Sequence, residues 1–194
     1  MSGRTPPRAV IFDMDGTLTR PYLDFPKIRE AIGVAEPLLE NMLALPPGPE
    51  RDRAFGILER FEDEAAEASE LNPGARDVVE FLGSRGVPSG ILTRNSRRST
   101  ERTLAKHGLR FGLCVTRDDA PAKPRPEPLW MLCKHLGVEP AHALMVGDFK
   151  FDILAGRNAG TRTALLTFGK TPSYLHEIQP DHLLVELPDL LKLF

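Results

Sequence analysis

Short apolar runs alternate with amphipathic segments along most of this chain. Six runs of three or four residues, rich in Val, Ile, Leu and Ala, are typical of buried strands. They span residues 10–12, 90–93, 113–115, 143–146, 163–166 and 183–185. Helical patterns lie between them, and this alternation predicts an α/β fold in which helices cover both faces of a parallel sheet.

Two of the intervening helices can be placed from their caps and apolar stripes. Asn72-Pro73 predicts a helix start, with Asn72 as the N-cap and Pro73 in the first helical position. The apolar stripe of this helix consists of Ala75, Val78, Val79 and Leu82. The same spacing recurs at Leu129, Leu132, Cys133 and Leu136. Gly137 follows this second stripe and predicts the helix end.

Residues 18–71 differ from the rest of the chain because they show helical patterns without a strand candidate. Pro46-Pro47-Gly48-Pro49 interrupts this region. The helical stripe after it consists of Ala54, Ile57, Leu58, Phe61 and Ala65. The sequence therefore predicts a core of residues 1–17 and 72–194, interrupted after the first strand by a helical insertion of residues 18–71.

Composition and charge exclude several classes of protein. The 194 residues allow one domain, or one core with a small insertion, and a formal charge of -2 gives no general attraction to nucleic acid or anionic membrane. No apolar run approaches the roughly 20 residues of a membrane helix, and the N-terminus lacks the apolar region of a signal peptide. Cys114 and Cys133 lie in apolar surroundings and are predicted to be core residues rather than a disulfide or metal pair. We therefore expect a cytoplasmic protein.

The segment Asp13-Met14-Asp15-Gly16-Thr17 follows the first apolar run directly. On an extended chain Asp13 and Asp15 point to the same side. Two carboxylates so close repel each other unless a cation or a shared proton compensates. A hard metal ion such as magnesium (Mg2+) takes oxygen ligands and bridges to phosphate, so it suits this pair. A plain turn is the alternative, because Asp and Gly are common turn residues.

Thr93 ends the second apolar run and precedes a helical segment. A hydroxyl at a strand end, with the N–H groups of a helix start behind it, forms a site for phosphate oxygens. The alternative is that Asn95 or Ser96 simply caps the helix.

Lys123 lies in the proline-rich segment 123–128. The prolines make this segment rigid and remove backbone donors, and a lysine held there can neutralise a phosphoryl group. The segment also reads as an ordinary helix start, because Pro126 or Pro128 suits the first helical position.

Asp148 closes the fourth apolar run, and Asp152 follows four residues later on a predicted helix. Residues four apart share a helix face, so both carboxylates are expected to point to one place. Acidic residues in a first helical turn are also ordinary partners of the helix dipole. Ligands of open parallel sheets bind beyond the carboxyl ends of the strands, so all these groups are expected to meet at one edge.

In this order the segments resemble the motifs of the haloacid dehalogenase-like superfamily, specifically its magnesium-dependent phosphatases with a helical cap. The motif residues are Asp13 and Asp15, Thr93, Lys123, and Asp148 with Asp152. Residues 146–160 are most similar to the phosphoglycolate phosphatase branch. The resemblance implies a Rossmann-like core with residues 18–71 as a cap over the active site.

The resemblance also implies hydrolysis through an aspartyl-phosphate intermediate. Asp13 is implied as the nucleophile, and Asp15 as the acid that protonates the leaving oxygen and the base that then activates water. Mg2+ is implied to be held by Asp13, Asp148 and the backbone carbonyl of Asp15, with Asp152 as a ligand or a partner of one. Thr93 and Lys123 are implied to bind the phosphoryl oxygens.

Three other functions are alternatives to a phosphatase. In phosphoacceptor signalling modules the phosphorylated Asp follows the third strand, whereas here the acid pair follows the first. A metal-free dehalogenase needs neither Asp15 nor the second acidic pair. A phosphomutase shares all four motifs and remains an open alternative.

Substrate selection is expected to depend on groups that touch the leaving group. Tyr22, Phe25 and Arg29, at the entry to the insertion, are candidates, and Arg94 is close enough to Thr93 to meet phosphate. A cap that excludes water and limits size predicts a small phosphorylated metabolite rather than a phosphoprotein or nucleic acid. The sequence gives neither the identity of that metabolite nor the oligomeric state.

Overall fold

The computed structural model describes residues 5–194, so residues 1–4 of the predicted core lie outside it. Its centre is a six-stranded parallel sheet with the strand order β3-β2-β1-β4-β5-β6. The strands are β1 (Ala9–Phe12), β2 (Ser89–Leu92), β3 (Leu113–Val115), β4 (Ala143–Gly147), β5 (Arg162–Leu166) and β6 (His182–Leu184). All six predicted strands are confirmed, and their ends differ from the prediction by one residue or none.

Helices lie between successive strands, because parallel strands need crossover connections. The α-helices are α1 (Phe25–Ile32), α2 (Leu38–Ala44), α3 (Pro49–Ala68), α4 (Ala75–Ser84), α5 (Arg97–His107), α6 (Glu127–His135) and α7 (Lys150–Ala159). Short 3-10 helices span Pro140–His142, Ser173–His176 and Leu187–Leu193. None of the helices of residues 5–194 is long and apolar enough to cross a membrane.

The sheet is buried on both faces. Along β1, Val10 and Phe12 enter one core with α4, whereas Ile11 enters the opposite core with α6. This alternation follows from the two-residue period of a strand, and burial on both faces explains the continuous apolar runs. Cys133 is buried and Cys114 partly buried in these layers, and both are free thiols.

The start of α4 differs from the prediction. The helix begins at Ala75 with Gly74 as its N-cap, so Asn72 is not the N-cap and Pro73 is not its first residue. Asn72 is buried, and its side-chain amide donates to the carbonyls of Gly16, Thr17 and Thr19 at 3.2, 2.8 and 3.0 Å. It therefore fixes the loop after β1 instead of capping a helix.

Helices α1, α2 and α3 lie between β1 and α4 in the chain and share a small core, formed by Ile28, Leu38, Met42, Ala54 and Leu58. Helix α3 also lies against α5. Lys106 Nζ donates to the carbonyls of Glu67 and Ser69 at 2.5 and 2.8 Å. The bounds of the insertion, residues 18–71, remain a prediction.

Candidate active site

The carboxyl ends of β1 and β4 bring three of the predicted acidic residues together. These strands are neighbours in the sheet, and the Asp13 amide donates to the carbonyl of Val146 at 2.8 Å. One carboxylate oxygen from each of Asp13, Asp148 and Asp152 lies within 4.8 Å of the others. The edge of the sheet therefore carries a compact cluster of oxygen donors.

Lys123 is the cation of this cluster. Its side chain is 3% exposed, and Nζ lies 2.6 Å from Asp13 Oδ1 and 2.6 Å from Asp152 Oδ1. The ammonium group thus joins the acidic residue after β1 to the one on α7. Burial works against the charged ammonium, but the two carboxylates raise the pKa of Lys123 and keep it protonated.

Asp148 and Asp152 meet in a different way from the one predicted. Helix α7 begins at Lys150, so Asp148 lies before the helix and the two residues do not share a helix face. Asp152, in the first turn, directs its carboxylate back to the loop and accepts from the amide of Phe149 at 3.0 Å. Its position is fixed by this cap and by Lys123.

Two glycines make room for these carboxylates. A Cβ on Gly147 would lie 2.1 Å from Asp152 Cγ, and one on Gly16 would lie 2.2 Å from Asp148 Oδ2. Gly16 also has a φ of 82°, which L side chains rarely adopt. Neither position accepts a side chain without displacing an acidic residue of the cluster.

The electrostatics of the cluster favour a bound cation. Burial raises the pKa of Asp13 to about 7 despite the attraction of Lys123. Burial and repulsion from Asp13 and Asp152 raise the pKa of Asp148 to about 8. Three crowded carboxylates exceed the charge of one ammonium, and hard divalent ions prefer oxygen ligands, so the residues present fit Mg2+.

Asp15 has its own hydrogen-bond partners beside the acidic cluster. Asn95 Nδ2 donates to Asp15 Oδ2 at 2.5 Å, and the Thr19 hydroxyl donates to Oδ1 at 3.4 Å. Burial raises the pKa of Asp15 to about 6, partly offset by the Asn95 bond. A carboxyl group that titrates near neutral pH suits proton transfer.

Thr93 lies one residue beyond the end of β2 and is 2% exposed. It faces the cavity that Asp13 and Asp15 also line. Its hydroxyl accepts from the amide of Asn95 at 3.2 Å. Ser96 is the N-cap of α5, since its side chain accepts from Ser99. Ser96 therefore performs the capping role, and Asn95 is free to bind Asp15.

Arg94 is already engaged by protein groups. Its guanidinium donates to the carboxylate of Glu40 on α2 at 3.0 and 2.8 Å and to the carbonyl of Lys123 at 2.7 Å. Its Cζ lies 4.6 Å from the ring centroid of Phe151. Phosphate binding by Arg94 stays a prediction, and it requires Arg94 to leave these partners or to share them.

All the predicted site residues line one cavity of about 280 Å³. Tyr22, Phe25 and Arg29 form part of its wall, together with residues that sequence reasoning did not select: Glu36, Asn95, Phe149 and Phe151. Phe149 and Phe151 could have been suspected because they alternate with the acidic residues of segment 148–152. Glu36 and Asn95 carry no local signal of this kind.

Comparison with known proteins gives consistent matches along the chain. A family model for haloacid dehalogenase-like hydrolases matches residues 40–166. An uncharacterised hydrolase of Saccharomyces cerevisiae is 36% identical over 168 residues, which cover 82% of this chain and 77% of the yeast protein. An N-acetylmuramic acid 6-phosphate phosphatase of Pseudomonas putida is 33% identical over 193 residues, with 87% of this chain and 85% of that protein covered.

Solved structures agree with these matches. A provisionally named phosphoglycolate phosphatase of Lactobacillus plantarum has a TM-score of 0.77 and 25% identity, and the alignment covers 98% of this chain and 100% of that one. A hydrolase of Pseudomonas syringae has a TM-score of 0.79 at 22% identity, with coverage of 95% and 96%. The second likeness concerns the fold alone.

Proposed function

This chain belongs to the haloacid dehalogenase-like hydrolase family, and we propose that it is a magnesium-dependent phosphatase acting on a small phosphorylated metabolite. The observation that carries the proposal is the cluster at the sheet edge, where Lys123 joins Asp13 to Asp152 and Asn95 holds Asp15 nearby. The resemblance predicted from the sequence motifs is confirmed by the family model. Relatives named as phosphatases support the reaction class.

The proposed chemistry has two steps. A carboxylate oxygen of Asp13 attacks phosphorus, while Asp15 gives its proton to the departing alcohol oxygen, so that an aspartyl-phosphate forms. Asp15, now a carboxylate, takes a proton from a water molecule that attacks the phosphorus atom. Inorganic phosphate leaves, and Asp13 and the protonated Asp15 are restored.

Binding of the phosphoryl group is assigned to Thr93 and Lys123, which face the cavity beside Asp13. Mg2+ would be held by Asp13, Asp148 and the backbone carbonyl of Asp15, with Asp152 as a further ligand or a partner of one. When bound, the ion neutralises the repulsion between nucleophile and phosphate. Lys123 favours the ionised form of Asp13 through its 2.6 Å contact, which partly offsets the effect of burial.

The related proteins are named for different substrates. They include N-acetylmuramic acid 6-phosphate phosphatases and a pyrophosphatase of Bacillus cereus. Phosphoglycolate, suggested by residues 146–160, is one candidate among small phosphorylated metabolites. The shared motifs act on the phosphoryl group, which is common to all of them, so selection must come from the rest of the cavity.

The test is phosphate release from p-nitrophenyl phosphate and a panel of small phosphomonoesters, with Mg2+ and with chelator. Asp13→Asn keeps the shape of the side chain but removes the nucleophile, so turnover is expected to fall to background. The matched control is Asp77→Asn, an exposed residue of α4, which is expected to behave like wild type. Wild-type turnover by Asp13→Asn, or full activity in chelator, would contradict the proposal. Isomerised product without phosphate release would indicate a phosphomutase.

A further inference from the structure

The part of the cavity beyond the acidic cluster is lined by aromatic rings from both sides. Tyr22 and Phe25 come from the segment before and at the start of α1, and Phe149 and Phe151 from the start of α7. The rings of Phe149 and Phe151 pack edge to face, with centroids 5.3 Å apart. These residues form what we call the ring wall of the cavity.

Much of the ring wall faces water. Tyr22 is 54% exposed, Phe25 48% and Phe149 42%, so all three belong to the exposed large hydrophobic residues of the described chain. Exposed apolar groups gathered around a concave site are typical of ligand pockets, because a ligand removes them from water. The ring wall therefore favours an apolar surface on the bound molecule.

The charges in the same wall are paired with each other. Arg94 is bound to Glu40 at 2.8 Å, and Arg29 lies 4.0 Å from Glu36. Each guanidinium thus has a carboxylate partner from the region of α2, and their formal charges cancel. Lys150 lies outside the cavity lining, with Nζ 5.7 Å from the ring centroid of Phe149. An additional anion on the substrate could reach Arg94 or Arg29 only by displacing the carboxylate that each guanidinium already holds.

We infer that the leaving group of the substrate is uncharged and presents an apolar ring face to the ring wall. Glu40 is then a residue that determines specificity, because it occupies the guanidinium that would otherwise attract a carboxylate. This inference rests on the proposed phosphatase function and concerns only the alcohol part of the substrate. A phosphomonoester with a short carboxylate-bearing leaving group is the opposite class.

Three phosphomonoesters separate these classes. Benzyl phosphate, ethyl phosphate and 2-phosphoglycolate all have an alcohol at a saturated carbon as the leaving group, so their intrinsic reactivity is comparable. We expect kcat/KM for benzyl phosphate to exceed that for ethyl phosphate by at least about tenfold, as burial of apolar surface on a complementary wall permits. The value for 2-phosphoglycolate is expected to be no higher than for ethyl phosphate.

Two variants assign the effect to the residues named. Phe149→Leu is expected to lower the ratio of kcat/KM for benzyl phosphate to kcat/KM for ethyl phosphate several-fold. Glu40→Gln frees Arg94, so the ratio of kcat/KM for 2-phosphoglycolate to kcat/KM for benzyl phosphate is expected to rise by about tenfold. Glu30→Gln is the matched control, because Glu30 is an exposed residue of α1 outside the cavity lining. It is expected to leave the ranking unchanged.

The outcomes distinguish the inference from the function on which it rests. Suppose that hydrolysis of p-nitrophenyl phosphate requires both Mg2+ and Asp13, but kcat/KM for 2-phosphoglycolate equals or exceeds that for benzyl phosphate. The inference is then wrong and the phosphatase proposal stands. The inference is also wrong if benzyl and ethyl phosphate are hydrolysed equally well. Absence of turnover for all four compounds would overturn both.

Discussion

A buried ion pair connects the long helix α3 to the loop that carries Thr93. Glu62 is 1% exposed and accepts hydrogen bonds from the amide and hydroxyl of Ser96 at 3.3 and 2.8 Å. Its second carboxylate oxygen is bound by the guanidinium of Arg117, whose side chain is 5% exposed. Arg117 also donates to the carbonyl of Arg94 at 3.3 Å. The pair therefore fixes the loop 93–96 from two sides.

Replacing Glu62 with Gln is expected to destabilise the protein strongly. The amide keeps the size of the side chain but leaves the buried Arg117 guanidinium with only the half-exposed carboxylate of Asp118, 3.9 Å from its Nε, as a counter-charge. Removal of one partner from a buried pair costs about 3–5 kcal/mol. For a domain of this length each kcal/mol lowers the Tm by about 2–4 °C, so a decrease of roughly 6–20 °C is expected.

The assay is thermal and urea unfolding followed by circular dichroism. Asp63→Asn is the matched control, because Asp63 is the next residue of α3 and its partners Arg98 and Arg102 lie 2.9 Å away on the protein surface. Surface pairs contribute about 0–1 kcal/mol, so this variant is expected to unfold nearly as wild type does. The double variant Glu62→Met with Arg117→Met, which removes both charges, is expected to recover most of the loss.

The reasoning is refuted if Glu62→Gln and Asp63→Asn lower the free energy of unfolding equally. Recovery in the double variant distinguishes an uncompensated charge from a simple packing defect. A functional effect is also expected, since Ser96 caps α5 and the loop before it presents Thr93 and Asn95. Well below its Tm, Glu62→Gln should therefore retain Mg2+ dependence but show a lower kcat.

Four further predictions concern the acidic cluster and its supports. Asp148→Asn should raise the Mg2+ concentration for half-maximal activity at least about tenfold, whereas Asp15→Asn should leave that concentration unchanged and lower kcat. If added Mg2+ rescues Asp15→Asn but not Asp148→Asn, the assignment of Asp148 as metal ligand and Asp15 as acid and base is wrong. Gly16→Ala should lower kcat/KM at least about tenfold, because its Cβ would lie 2.2 Å from Asp148 Oδ2. Asn72→Ala leaves buried carbonyls without a donor and should lower the free energy of unfolding in urea by about 1–3 kcal/mol. In chelator the free energy of unfolding should fall as pH rises from about 5 to 8. Burial raises the pKa of Asp13 to about 7 and that of Asp148 to about 8, above the usual 3.8, so the folded state binds protons that the unfolded state releases. Added Mg2+ should reduce this fall, and a urea midpoint that does not change with pH in chelator would contradict the prediction.

The sheet could be predicted from sequence because its strands are buried on both faces. A run such as Ala143–Gly147 is apolar throughout, and that pattern depends only on local residue types. The start of α4 could not be predicted in the same way. Asn72 looks like an N-cap locally, but its amide binds carbonyls more than 50 residues away in the chain. Local sequence does not distinguish the two roles.

The acidic cluster was predictable for a related reason. Asp13 and Asp148 follow adjacent parallel strands, so the topology alone brings them together. The role of Asp152 required the structure, because its carboxylate folds back onto the amide of Phe149 instead of continuing a helix face. Glu62 gave a partial signal, since it lies on the apolar stripe of α3 between Leu58 and Ala65. Its partner Arg117 lies 55 residues further along the chain, in a segment with no such pattern.

These contacts change how the insertion should be probed. Removing residues 18–71 as one piece would delete Glu62 along with part of the cavity wall, and would leave the buried Arg117 without its main counter-charge. It would also remove Leu18, which is buried in the main core. A loss of selectivity in that deletion would be confounded with a loss of stability. Point changes at Glu40 or Tyr22 alter the cavity while α3 stays anchored to the core, so they separate substrate selection from folding.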